Sequence, residues 1–213
     1  MEVLMRHLVI GVLAGLALVS PGYAQGTSNS EQNIQCAKNS KTQPFMEGGT
    51  VRLKLSSGDY TARGGTSDRI LVQWRAEDSA HLKDMKKIKV RAQPYGSIAT
   101  IRTEGPTKHA RFTIEIPARS DLNLRMRAGD VRINGIEGNK DIRMTAGDLN
   151  IDVLPASYSL VHASVTFGDL RARALGISKD GIRNSLKWTG LGKYTLHASL
   201  FAGDVTISQG QKP

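Results

Sequence analysis

The sequence predicts an all-β chain: a single domain of stacked β-rungs, β-solenoid or β-roll-like, that turns at Gly-Asp dipeptides. Three observations carry this reading. After Thr50, apolar and polar residues alternate with period two along much of the chain, as in half-buried strands whose successive side chains face opposite ways. A unit of such alternation, broken by Gly-Asp, recurs five times. Aromatic residues are only 5% of the 213; that would leave a broad core short of filling but suits a narrow interior of aliphatic ladders.

The chain opens with an export signal, residues 1–24. Arg6 and His7 form a short basic start, weakened by Glu2, and residues 8–18 are apolar apart from glycines. Ser20-Pro21-Gly22-Tyr23-Ala24 supplies a break and small residues suited to cleavage after Ala24. The apolar run is about half of the ~20 residues that a membrane-spanning helix needs, which weighs against an uncleaved anchor. No later stretch could span a bilayer. The mature chain is therefore expected outside the cytoplasm, in a periplasm or secreted.

Residues 25–45 are rich in Ser, Asn, Gln, Thr and Lys and read as a flexible arm. The chain's one cysteine, Cys36, lies there. A lipid-bearing cysteine would follow the signal directly behind small residues, and Cys36 does not. It reads as an unpaired thiol, with pairing between chains as the alternative. One cysteine allows neither an internal disulfide nor a zinc site of several thiolates.

The β-repeat domain is expected over 46–210. Val51, Leu53 and Leu55 alternate with Arg52 and Lys54, and the same strand pattern returns at 69–74, 88–90, 98–102 and 112–116. Residues 77–87 carry a weak helical pattern. Pro94-Tyr95-Gly96 and Gly105-Pro106 are turn signals.

The Gly-Asp units centre on Gly58-Asp59, Gly129-Asp130, Gly147-Asp148, Gly168-Asp169 and Gly203-Asp204. The last four glycines are 18, 21 and 35 residues apart. The longest interval is nearly twice the shorter ones and suggests a rung whose turn has lost the motif. Glycine accepts the positive φ of a sharp turn, and the aspartate can take a backbone N–H and close it. Gly-Asp also suits a type II′ hairpin, so rung corner and hairpin tip both remain open, with the spacing favouring stacking.

From about Phe112 to Ile207 the sequence resembles the bacterial putative-adhesin family, a family of unknown function. The matching features are Ile114-Glu115-Ile116-Pro117 leading into a strand and the ordered Ala-Gly-Asp-apolar units. A closing segment adds to them: Trp188-Thr189-Gly190-Leu191-Gly192-Lys193-Tyr194-Thr195-Leu196, followed by Ala202-Gly203-Asp204-Val205. The resemblance implies a toast-rack-like stack of β-rungs on an exported protein. It implies no ligand, since fold alone does not specify function.

The formal charge is +10, from 29 Lys and Arg against 19 Asp and Glu. Arg125, Arg127, Arg132, Arg143, Arg171 and Arg173 alternate with apolar residues around the Gly-Asp turns. They are expected to form a cationic sheet face that docks an anionic glycan or lipid surface; the plainer reading is a solvated exterior that blunts edge-to-edge aggregation. Export and the lack of interleaved aromatics argue against nucleic acid. His162 and His197 each stand six residues before the Gly of a Gly-Asp turn, yet their separation suggests a rung between them and no third ligand is placed, so no metal site is assigned. One Asp per rung is too sparse for a calcium ladder. Trp74, Trp188, Tyr194 and Tyr95 could stack on sugars, but packing at core ends explains lone aromatics more simply.

No phosphate loop, nucleophile elbow or zinc-protease motif occurs, and no cofactor is implied. The expected function is an exported, non-enzymatic, adhesin-like binding or structural protein of the cell envelope. The alternative is a carbohydrate-active enzyme on a β-solenoid, whose carboxylates would converge in a groove.

Overall fold

The computed structural model describes residues 39–210. The signal peptide, most of the arm and Cys36 lie outside the described residues. Strands β1 (Asn39–Pro44), β2 (Thr50–Leu55), β3 (Asp59–Gly65) and β4 (Arg69–Ala76) come first. A 3-10 turn (Ser79–His81) and the short helix α1 (Leu82–Met85) follow, where the sequence carries its helical pattern. Next are β5 (Lys89–Tyr95), β6 (Ile98–Glu104), β7 (Ala110–Pro117), β8 (Asp121–Ala128), β9 (Val131–Asn134), β10 (Lys140–Ala146) and β11 (Leu149–Val153). The rest are β12 (Tyr158–Phe167), β13 (Leu170–Ala172), β14 (Ile177–Lys179), β15 (Ile182–Thr189), β16 (Tyr194–Ala202) and β17 (Val205–Gln209). The all-β class therefore holds.

One boundary moves. Residues 39–44, expected in the arm, form β1 and pair antiparallel with β4. An edge strand contributes backbone hydrogen bonds and needs little apolar surface, so its polar composition reads like a linker.

The strands form two sheets. One runs in the order β15-β12-β16-β10-β8-β2-β6-β5, the other β1-β4-β7-β3-β9-β11-β17-β13-β14. All five Gly-Asp dipeptides carry the chain from a strand of the first sheet to a strand of the second, so they are corners and not hairpin tips. Strands that enter each sheet from such a corner unit pair in parallel with their neighbours, because each unit starts again in the same direction.

Both sheets hold the corner units in the same order: β12/β13, β16/β17, β10/β11, β8/β9, β2/β3, β6/β7. This is not chain order, and it corrects the reading of the long Gly168-to-Gly203 interval. No unit is missing between them. The intervening residues build β14 and β15, which pair antiparallel on the outer sides of β13 and β12. The last unit, β16/β17, inserts between β10/β11 and β12/β13. Its inward residues Leu196, Ala198, Leu200, Val205 and Ile207 are all buried, as an internal position requires. The polar β14 and β15 can serve only as edges. At the other end β4 and β5 are likewise antiparallel, and the edge strand β5 carries Lys89 and Pro94.

The interior is a set of aliphatic ladders. Ile101, Leu53, Leu124, Ile142, Ala198, Ala163 and Leu186 lie in one row of the first sheet. Val72, Ile114, Ala62, Ile133, Ile151, Ile207 and Ala172 line up across the second. All fourteen are buried in one hydrophobic cluster. Full burial of each larger side chain contributes roughly 1.5–3 kcal/mol.

Neighbouring corners lie in direct contact. At Gly147 φ is 109°, and an added Cβ would press into the backbone of Gly129 in the next unit. The aspartates were expected to close their own turns, but the backbone N–H groups they accept belong to neighbouring units. Asp130 Oδ1 accepts the Asp148 N–H at 3.1 Å, and Asp204 Oδ1 accepts the Asp169 N–H at 2.9 Å. At the opposite corner, Asp121 Oδ1 accepts the Asn139 N–H at 2.8 Å, and Asn139 Oδ1 accepts the Thr195 N–H at 3.0 Å.

Candidate functional site

Alternation along β5, β6, β2, β8 and β10 buries one set of side chains and turns the other to the outer face. Register then decides which outer residues are neighbours. Arg91 lies opposite Arg102, Arg102 opposite Lys54, Lys54 opposite Arg125, and Arg125 opposite Arg143. Five basic residues thus stand on five adjacent strands in one row, about 19 Å long at the usual strand spacing. The row continues as Ser199, Ser164 and Ser185.

Carboxylates touch three of the five members of the basic row, Arg91, Arg125 and Arg143. Glu104 lies 3.6 Å from Arg91, and Asp141 lies 2.5 Å from Arg125 and 3.7 Å from Arg143. Arg125 also donates to the Leu124 and Asp141 carbonyls, each at 2.9 Å, which fixes its guanidinium. Among the described residues no carboxylate comes within 4.0 Å of Arg102 or Lys54. A shallow groove of about 790 Å³ opens beside the row, lined by Lys54, Ser56, Arg125, Arg127, Arg143 and Thr145 among others, without a carboxylate.

The six arginines singled out in the sequence do not share one face. Arg125, Arg127 and Arg143 belong to the first sheet. Arg132 is on β9 and Arg171 on β13, both in the second sheet, and Arg173 opens a 3-10 turn. The corner is the cause: it hands the chain to the opposite sheet, so outward residues before and after it point to opposite sides. Arg171 is further committed to Asp169 and Asp204, the latter at 3.5 Å. Sequence reasoning missed Arg91, Arg102 and Lys54. Their alternation was visible, but their alignment with Arg125 depends on β2 lying between β6 and β8.

His162 and His197 are direct neighbours in register, with ring centroids 5.9 Å apart and planes at 85°. This replaces the expected rung between them. Asp141 stands opposite His197 in the same row, but its carboxylate is engaged by Arg125 and Arg143. No group of three or more His, Cys, Asp or Glu among the described residues is arranged to hold a metal ion.

Of the four aromatics considered for sugar stacking, Trp74, Trp188 and Tyr194 pack partly buried against the core, while Tyr95 is 89% exposed at a turn. An exposed aromatic pair went unnoticed: Phe167 and Phe201, with centroids 5.3 Å apart, at the corner of the last two units. A separate depression of about 380 Å³ is lined in part by Glu47, Asp121 and Glu137. There Asp121 is taken by Asn139, and Glu47 lies 3.6 Å from Arg119.

One titratable group is buried away from any groove. Lys140 Nζ donates to the Ile136 carbonyl at 2.6 Å and to the Tyr158 hydroxyl. Burial pushes the Lys140 ammonium down to about 8, against the opposing pull of Asp121 and Glu137. Burial likewise pushes the Tyr158 hydroxyl up.

No family model and no curated protein matches the sequence. Solved structures do resemble the chain. The fold is shared with a putative cell adhesion protein from Clostridium sporogenes. The two align over 81% of this chain and 100% of the other, at 12% identity and a TM-score of 0.53. Putative adhesins from Parabacteroides merdae and Bacteroides fragilis each align with 80% of this chain, at 9% and 10% identity, covering 80% and 97% of their own lengths. Their TM-scores are 0.26 and 0.25, too low to carry an argument. The adhesin-like resemblance read from the sequence is thus borne out at the level of fold.

Proposed function

We propose that the chain is an exported, non-enzymatic, adhesin-like protein of the cell envelope that docks an anionic glycan or lipid surface. In this reading the corner units are rungs of one short β stack, and the stack serves as a rigid carrier for a charged face. The carrying observation is the row Arg91, Arg102, Lys54, Arg125 and Arg143, in which Arg102 and Lys54 have no carboxylate partner among the described residues. Such a row focuses positive potential and attracts anionic partners in a salt-dependent way. Arg127 extends the face; Arg132, Arg171 and Arg173 do not belong to it.

The test is retention of the full chain on an immobilised anionic matrix. Retention is expected to fall as salt rises and to drop in the Arg102→Glu, Arg127→Glu, Arg143→Glu triple variant. Retention indifferent to both salt and charge reversal would remove the proposal. The carbohydrate-active alternative draws on the depression bearing Glu47, Asp121 and Glu137. It would require release of shorter sugars from a bound glycan, abolished by Glu137→Gln.

A further inference from the structure

The basic row is flanked on both sides, and its neighbours define what can lie on it. On one side the same outer face reads Gln93, Thr100, Arg52, Asn123 and Asp141, with one cation, one anion and three neutral residues. On the other stand Lys89, Glu104 and Arg127, nearer the corners. Glu104 and Asp141 flank the basic row itself. A flat anionic plane would meet these carboxylates together with the cations. A narrow strand of negative charge laid along the row would pass between them.

The pitch of the row adds a second constraint. The cations are set by strand spacing, one every ~5 Å. Neighbouring cations sit well inside the Debye length of about 8 Å at physiological salt, so they repel one another and are neutralised best by a ligand carrying charge at the same repeat. Guanidinium forks can take a carboxylate through two parallel hydrogen bonds, as they can a phosphate. Beyond Arg143 the row offers the serines 199, 164 and 185, whose hydroxyls match sugar hydroxyls.

We infer that this row is a track for an extended acidic polysaccharide laid across the strands, its uronate carboxylates meeting first the unpaired Arg102 and Lys54. The inference rests on the anionic-docking reading above and names its ligand class. The binding register runs Arg91, Arg102, Lys54, Arg125, Arg143, and sugars beyond Arg143 reach Ser199 and Ser164.

The experiment is calorimetric titration of the full chain with di-, tetra- and hexagalacturonate, with the methyl-esterified hexamer as a neutral control and anionic phospholipid vesicles as a separate arm. Affinity should rise from dimer to hexamer and vanish on esterification. Arg102→Glu should weaken hexamer binding by about tenfold through loss and reversal of one close charge contact. Arg132→Glu, on the other sheet, should leave it unchanged. Arg102→Ala, read beside circular dichroism, guards against a folding defect in the reversed variant. A hexamer bound no more tightly than the dimer, or equal losses in Arg102→Glu and Arg132→Glu, would overturn the inference. Arg102-dependent binding of vesicles without galacturonate binding would overturn it too, while leaving the docking reading intact. Failure to bind any anion would end both.

Discussion

Asp148 Oδ1 accepts the backbone N–H of Asp204 at 3.2 Å, joining two corners that are 56 residues apart in the chain. The carboxylate fastens the β16/β17 corner to an earlier one. Asp148→Ala should cost about 1 kcal/mol in urea unfolding, a modest figure because the corner is open to water. Asp148→Asn retains an Oδ1 acceptor and should cost less. Equal losses in the two variants would show that the oxygen is not what matters.

A hairpin glycine and a corner glycine separate two costs. At Gly96 φ is 56° and nothing lies within 4 Å of an added Cβ, so Gly96→Ala bears only backbone strain, about 1 kcal/mol. Gly147→Ala bears that strain and also a collision with the Gly129 carbonyl oxygen. It should lose at least twice as much stability. A Gly147→Ala variant as stable as Gly96→Ala would contradict the close corner contact.

Insertion of β16 is tested at Ala198, buried between Ile142 and Ala163. Ala198→Leu should destabilise by about 1–3 kcal/mol, the usual cost of overpacking. The outward-facing Ser199→Leu should change stability by less than about 0.5 kcal/mol. If thermal melts found Ala198→Leu equally mild, β16 would not be an internal strand.

Lys140 and Tyr158 set opposing alkaline trends. The folded Lys140 releases its proton near 8, whereas an unfolded lysine holds it to about 10.4. The unfolded state therefore binds more protons in that window, and stability rises with pH, by about 2 kcal/mol between pH 8 and 10. Tyr158 and Tyr60, held protonated by burial, act the other way above pH 10, where unfolded tyrosines ionise first. Urea midpoints should climb from pH 8, crest near 10 and then fall. Lys140→Met should remove the climb; a climb that survives the substitution would assign it to another group.

Much of the fold was legible because period-two alternation is local. The strands at 51–55, 69–74, 98–102 and 112–116 needed only neighbouring residues to be recognised. The Gly-Asp punctuation located five of the six corners, since positive φ at a crowded turn leaves few residue choices. What escaped was lateral order. Nothing near Leu196 states that β16 will sit between β10 and β12; that depends on which inner faces are apolar enough to be covered on both sides. The candidate site suffered for the same reason. Arg125 and Arg143 follow each other in chain and space, but Lys54 and Arg102 reach them only through sheet order, and Arg132 leaves them at the corner. Residues 39–44 were misread because edge strands carry little apolar signal.

The insertion of β16/β17 has a consequence for how the sheets hold together. Residues 194–209 lie between β10/β11 and β12/β13, so in both sheets the strand pairing that ties β12 through β15 to the other described strands runs through them. Their loss would not trim a tip; it would part each sheet and leave β12 through β15 without a backbone partner on that side.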